Sequence, residues 1–343
     1  MSTGKRVKYI DIARGIAILC IILGHFGVYE VDRVVFTFHV PIFYIITGYF
    51  LSKKYELKTF VKDKVRTLLV PYGITCVAMV LFGMMFATFF QESVLEVAKK
   101  WIAASIYGSG VPYTEPFEIH KIGAIWFLWA SFWGSIFLRI ALQMKKKVRL
   151  LFMIVLFCVG YITTVKCFWF PFSIQAGCCA TLFMYFGYLA KKSKDAYANL
   201  PKEVKNASVI FALIVWMAFI KNYTSFGLVE NNFGRGIVDI FGSVCACFSV
   251  IMISKFIEKR TRLLAGAFAY FGKYSLIALC VHNLELNQFP WWYIESAMLE
   301  MGIGQLITDC IIAGVRIVFI IAVTIILSKI KCITKLFGMK SVK

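Results

Sequence analysis

Apolar runs of roughly membrane-spanning length recur along the whole chain, broken by short polar stretches. A helix needs about 20 apolar residues to cross a hydrocarbon core of about 30 Å. On that rule we place ten transmembrane helices, at residues 9–29, 34–51, 70–90, 122–143, 148–165, 173–190, 207–220, 233–253, 271–286 and 304–327. The expected fold class is all-α, one polytopic membrane domain over residues 1–343 with no separate soluble domain. The largest segment outside the spans, about residues 91–121, should carry a short amphipathic piece with Val94, Val97, Ala98 and Trp101, then turns at Gly108, Gly110, Pro112 and Pro116; it is either a lid or a plain surface loop.

Composition agrees with that pattern. Of 343 residues 60% are hydrophobic and 16% charged, and mean hydropathy is +0.77, far above a soluble domain. The net charge of +20 orients the chain, because Lys and Arg accumulate in cytoplasmic loops. Alternate loops hold 28 of the 38 basic residues: Lys5, Arg6 and Lys8; Lys53, Lys54, Lys58, Lys62, Lys64 and Arg66; Lys145 to Lys147 and Arg149; the Lys191 to Lys205 cluster; Lys255 to Lys273; and Lys329 to Lys343. Both termini are therefore expected in the cytoplasm. Charge confined to alternate loops argues against a nucleic-acid surface. No cleavable signal is evident. The eleven cysteines lie mostly within apolar runs, with no spacing that suggests a disulfide or a metal site.

Ionisable groups inside the hydrocarbon are costly and hence candidates for function. Arg14 and His25 are eleven residues apart, about 16 Å of rise and only about 20° of rotation on a continuous helix. They would share a face, with Asp11 one turn before Arg14 to hold it by an ion pair. Arg14, near the cytoplasmic edge, either snorkels or meets an anionic ligand; His25, in the outer half, either makes an interhelical hydrogen bond or moves a proton to or from a hydroxyl.

His39, Thr47, Gly48 and Tyr49 fall on the second span, where Pro41 is expected to bend the helix. His282 falls near mid-membrane, followed by Asn283, and His120 in the outer loop should be solvated. Arg235 with Asp239, and Asp309 with Arg316, share helix faces, as buried ion pairs or with Arg235 facing a cavity. The basic stretch at residues 53–66 reads as a helix on the cytoplasmic surface, or as a contact for an anionic cofactor. Trp126, Trp129 and Trp133, like Trp291, Trp292 and Tyr293, read as an interfacial belt.

Several stretches carry a family resemblance. They are Tyr9-Ile-Asp11-Ile-Ala-Arg14-Gly15-Ile-Ala, Leu23-Gly24-His25, Phe38-His39-Val40-Pro41-Ile42-Phe43, Thr47-Gly48-Tyr49-Phe50, Leu69-Val-Pro71-Tyr72, Trp126-Phe127-Leu128, and Phe271-Gly272-Lys273-Tyr274-Ser275-Leu276 leading to His282. In this order they resemble the acyltransferase-3 family of integral membrane O-acyltransferases, and more narrowly its fucose 4-O-acetylase-like branch.

The resemblance implies a roughly ten-helix fold in a bacterial plasma membrane. It also implies transfer of an acyl group, usually acetyl, from cytoplasmic acetyl-CoA as donor substrate to a hydroxyl of a cell-surface glycan or lipid-linked sugar. It makes His25 the catalytic imidazole and Arg14 its companion cation. Lys62, Lys64 and Arg66 stand where some members carry an arginine pair, and are candidates for the CoA phosphates. His39, Thr47, Tyr49, Trp126, Arg235 and His282 are candidates for the acceptor. No tightly bound cofactor and no metal is expected; membrane lipid and a second copy of the chain are possible partners. The rival reading is a transporter or flippase that makes and breaks no bond, whose expected sign of two similar halves with interrupted spans is not visible.

Overall fold

The computed structural model describes residues 6–52 and 56–339. Lys5, Lys53, Lys54, Lys340 and Lys343 of the basic loops lie outside the described residues. Among these residues the chain is helical throughout, without a β-strand, and has two isolated bridges, Tyr113 with Ile119 and Gly227 with Asn232. The first helices are α1 (Lys8–Leu23), α2 (Tyr29–Val35), α3 (Pro41–Phe50), α4 (Leu57–Lys64), α5 (Val70–Phe89), α6 (Val94–Tyr107), α7 (Trp126–Ala141), α8 (Lys146–Lys166) and α9 (Ile174–Lys192). There follow α10 (Lys194–Ala198), α11 (Lys202–Lys221), α12 (Ile237–Arg260), α13 (Arg262–Lys273), α14 (Ser275–Gln288), α15 (Trp291–Glu300), α16 (Gln305–Lys329) and α17 (Lys331–Leu336). A π-helical turn, Val65–Leu69, joins α4 to α5.

Among the described residues, six helices are long and apolar enough to cross a membrane: Leu57–Phe89, Lys146–Lys166, Pro171–Lys192, Lys202–Lys221, Ile237–Arg260 and Gln305–Lys329. Counting the broken pair Arg262–Lys273 and Ser275–Gln288 as one span makes seven. The chain is thus a multi-pass helical membrane protein. Every one of the ten expected segments overlaps a helix, but the first, second, fourth and ninth are short or interrupted. The expected second span is divided between α2 and α3, with Pro41 opening α3. Pro suits a first helical turn, whose N–H groups lack intrahelical partners anyway.

The chain forms two compact units, residues 1–61 with 129–275, and residues 62–128 with 276–343. In the first, α9 and α12 are mostly buried, while α8 and α11 turn most of their apolar surface outward. Here α1 packs on α13 and α12, α3 on α9, and α11 on α12. Glycines set two of these crossings. A Cβ on Gly48 would overlap the Met184 carbonyl oxygen and one on Gly187 the Ile45 carbonyl oxygen, so α3 and α9 touch backbone to backbone. Gly15 against Phe268 and Gly272 against Asp11 do the same for α1 and α13. Such small-residue contacts replace the hydrophobic drive that is missing between helices in lipid.

In the second unit α5 packs on α6, and α15 on α16. Trp101 of α6 is buried, and Ser93 caps the helix by accepting the Glu96 N–H.

Candidate active site

In the first unit α1 stops earlier than the sequence suggests. Its last α-type bond runs from Gly24 N–H to the Cys20 carbonyl, and the His25 N–H turns back to Ile22. Gly27, at φ +70°, ends any continuation. His25 therefore sits on the turn after α1 and is exposed, rather than on a helix face running out to residue 29. Its Nδ1 lies 2.7 Å from the Ile21 carbonyl, which can only accept. The neutral ring thus carries its proton on Nδ1, and Nε2 holds the lone pair.

His39 repeats the arrangement. It lies in the turn between α2 and α3, buried, with Nδ1 donating to the Val35 carbonyl at 2.7 Å and its ring edge-on to Phe36 at 4.8 Å.

Arg14 lies half-buried in mid-α1. The expected Asp11–Arg14 ion pair is not formed. Arg6 holds the Asp11 carboxylate instead, through Nε and through Nη2 at 3.0 Å, because Arg6 precedes the helix and can reach back over its first turn. Among the described residues no ion pair satisfies Arg14. Thr47 and Tyr49, on either side of the packing residue Gly48, are half-buried. Arg235 clamps the buried Asp239, with Nη2 to Oδ1 at 2.6 Å, Nε to Oδ1 at 2.9 Å, and its backbone N–H to Oδ2 at 2.8 Å. Trp129 and Trp133 are half-buried and stack, Trp133 continuing onto Phe137, so that they form a ladder along α7.

In the second unit His282 and Asn283 are fully buried. His282 Nδ1 is 3.1 Å from Glu285 Oε2, and the other carboxylate oxygen accepts from Arg316 Nε. The expected Asp309–Arg316 pair does not occur; Asp309 accepts from Gln305 Nε2 at 2.8 Å. The carboxylate of Glu285 took that place because it is wholly buried and requires a cation. Sequence reasoning missed Glu285, although it is the one carboxylate in the apolar run of α14 and lies three residues, one helical turn, after His282.

Asn283 Oδ1 accepts the Ile125 N–H at 3.2 Å, just before Trp126, which is buried at the start of α7. Of the candidate phosphate contacts, Lys62 and Arg66 are exposed and Lys64 half-buried, at the end of α4 and in the π turn. His120 is not simply solvated. It is half-buried edge-on to Trp101 at 4.9 Å, and burial, with Lys100 and Lys121 nearby, pulls its pKa down to about 4.

An exposed imidazole with a fixed tautomer, following a helix whose Arg14 makes no ion pair with a described residue, is equipped to take a proton from a hydroxyl and to attract an anionic substrate. No curated protein and no solved structure matches the chain. The family model described as "Acyltransferase domain" matches residues 7–330, almost the whole sequence. On that match the chain is an acyltransferase and belongs to the acyltransferase-3 family.

Proposed function

We propose that this acyltransferase moves an acetyl or other short acyl group from cytoplasmic acyl-CoA to a hydroxyl of a cell-surface glycan or lipid-linked sugar, with His25 as general base. The observation that carries the reading is the imidazole of His25. Its Nδ1 proton is committed to the Ile21 carbonyl, so Nε2 is the nitrogen that accepts a proton. In the step proposed, Nε2 takes the acceptor's hydroxyl proton as its oxygen attacks the thioester carbonyl. The C–S bond then breaks, and the CoA sulfur leaves with that proton. General-base help of this kind contributes about 10² to 10⁴ in rate.

Arg14 is assigned to the anionic donor, because Asp11 is occupied by Arg6. Lys62, Lys64 and Arg66 are assigned to the CoA phosphates, as cations at one end of a spanning helix. His39, Thr47, Tyr49, Trp126 and His282 remain candidates for acceptor contacts. Arg235 is better explained by its pairing with Asp239. The alternation of basic loops supports termini on the cytoplasmic side, and the family likeness supports a bacterial plasma membrane.

The test is transfer of label from radiolabelled acetyl-CoA to glycan or lipid in membranes containing wild type or His25→Ala at equal expression. His25 is exposed, so its loss should not perturb folding. Label with wild type and about 10² less or none with the variant is expected; equal labelling would remove His25 from the mechanism.

A further inference from the structure

The first unit contains a cavity that the acyl-transfer machinery above does not use. It is half-open, about 550 Å³, between the end of α8 and the start of α12, within the size range of small-molecule sites. One wall is aromatic. Phe157 and Tyr161, one turn apart on α8, lie nearly parallel at 6.5 Å, and Phe233 packs on them at 5.0 and 6.1 Å. Tyr161 is 43% exposed.

The polar side comes from the loop before α12. The exposed Glu230 carboxylate makes no hydrogen bond or ion pair with a described residue. Asn231 is 2% exposed; its Nδ2 donates to Thr164 Oγ1 at 2.9 Å, while its Oδ1 is buried without a hydrogen-bond partner among the described residues. A buried, unmet acceptor is costly, and a ligand that donates to it is one way to recover that cost.

The loop is held rigid. Gly227 and Asn232 exchange backbone hydrogen bonds at 2.9 Å, Asn232 Oδ1 accepts the Gly234 N–H at 2.9 Å, and Asp239 clamps Arg235. Gly234, at φ +52°, has no room for a Cβ beside Asp239. The polar groups are thus fixed before any ligand arrives, which lowers the cost of binding.

We propose that this cavity is a saccharide subsite that holds the acceptor glycan away from His25, a proposal that rests on the acyl-transfer reading for its biological role. A sugar ring presents an apolar C–H face to an aromatic wall and hydroxyl donors to Glu230 and Asn231. A lipid acyl chain would leave both acceptors unmet. The loop also reaches the end of the unit where His25 lies: the Tyr29 hydroxyl, four residues beyond His25, is 3.5 Å from the Tyr223 carbonyl.

The test uses the full chain in phospholipid nanodiscs and saturation-transfer NMR with a mixture of methyl glycosides of glucose, galactose, mannose, fucose, rhamnose and N-acetylglucosamine. Wild type should saturate at least one glycoside. Tyr161→Ala and Glu230→Gln, both at exposed positions, should lose that signal with an unchanged melting temperature. In the acetylation assay the same variants should raise the acceptor KM about tenfold or more, leaving kcat and the acyl-CoA KM unchanged.

The subsite is overturned if no glycoside is saturated, if both variants keep the wild-type signal, or if a phospholipid co-purifies with wild type and is lost in Tyr161→Ala. The NMR readout needs no acyl transfer. Sugar binding without acetylation would therefore refute only the acyl-transfer reading, and acetylation without sugar binding only the subsite.

Discussion

At the scale of single residues, neighbours at one-turn spacing decide most of the chemistry. His25 and His39 both donate from Nδ1 to the carbonyl four residues earlier, so both rings are held in the tautomer whose Nε2 is basic. Arg6 relieves Arg14 of Asp11, and Glu285 joins His282 to Arg316 in a buried network. Removing the shared carboxylate strands a buried cation. Glu285→Ala should cost about 3–5 kcal/mol, read as a large fall in melting temperature or in folded yield, with partial recovery on adding Arg316→Met.

His120 supplies a pH dependence outside the spans. Its folded pKa, near 4, lies below the unfolded value of about 6.5. The unfolded chain then binds the proton more readily, so this stability is fully present above about pH 6.5 and is lost as pH falls toward 4. The melting temperature in detergent should drop across that window, and by less in His120→Gln.

At the scale of helices, backbone contact and interruption govern the packing. Gly48 belongs to the motif that carried the family resemblance, yet its structural duty is the contact of α3 with the Met184 carbonyl. Gly48→Ala must push the two helices apart, at about 1–3 kcal/mol, as for other overpacked sites. Loss of melting temperature in detergent with acyl-CoA binding retained would separate that role from a catalytic one. The early end of α1 belongs to this scale too: the helix stops at Leu23 and the chain turns toward Gly27, at φ +70°, which puts His25 on a turn, where a straight helix would have aimed it along one face.

At the scale of the whole molecule, two units interleave along the sequence: residues 62–128 and 276–343 form one, and the first 61 residues and 129–275 the other. A hydropathy pattern lists segments in order and cannot reveal that exchange. Orientation is the molecular property that charge predicts best. A fluorescent-protein fusion after Lys343 should fluoresce, as expected for a cytoplasmic end, and an alkaline phosphatase fusion there should be inactive. The reverse pair of results would invert the expected orientation.

Sequence alone determined the helical class, the membrane as solvent and the family, because apolar run length, basic-loop alternation and ordered motifs are properties of the chain itself. It also isolated Arg14, His25 and His282, since an ionisable group in an apolar run is visible without a fold. Partners were decided by tertiary structure. Asp11 went to Arg6 and Arg316 to Glu285, although helical spacing favoured Arg14 and Asp309. Phe157, Tyr161 and Glu230 came to line one cavity from segments some seventy residues apart. Helical period ranks neighbours on one element only; which buried charge meets which, and which aromatic rings share a wall, depends on distances between elements that only packing sets.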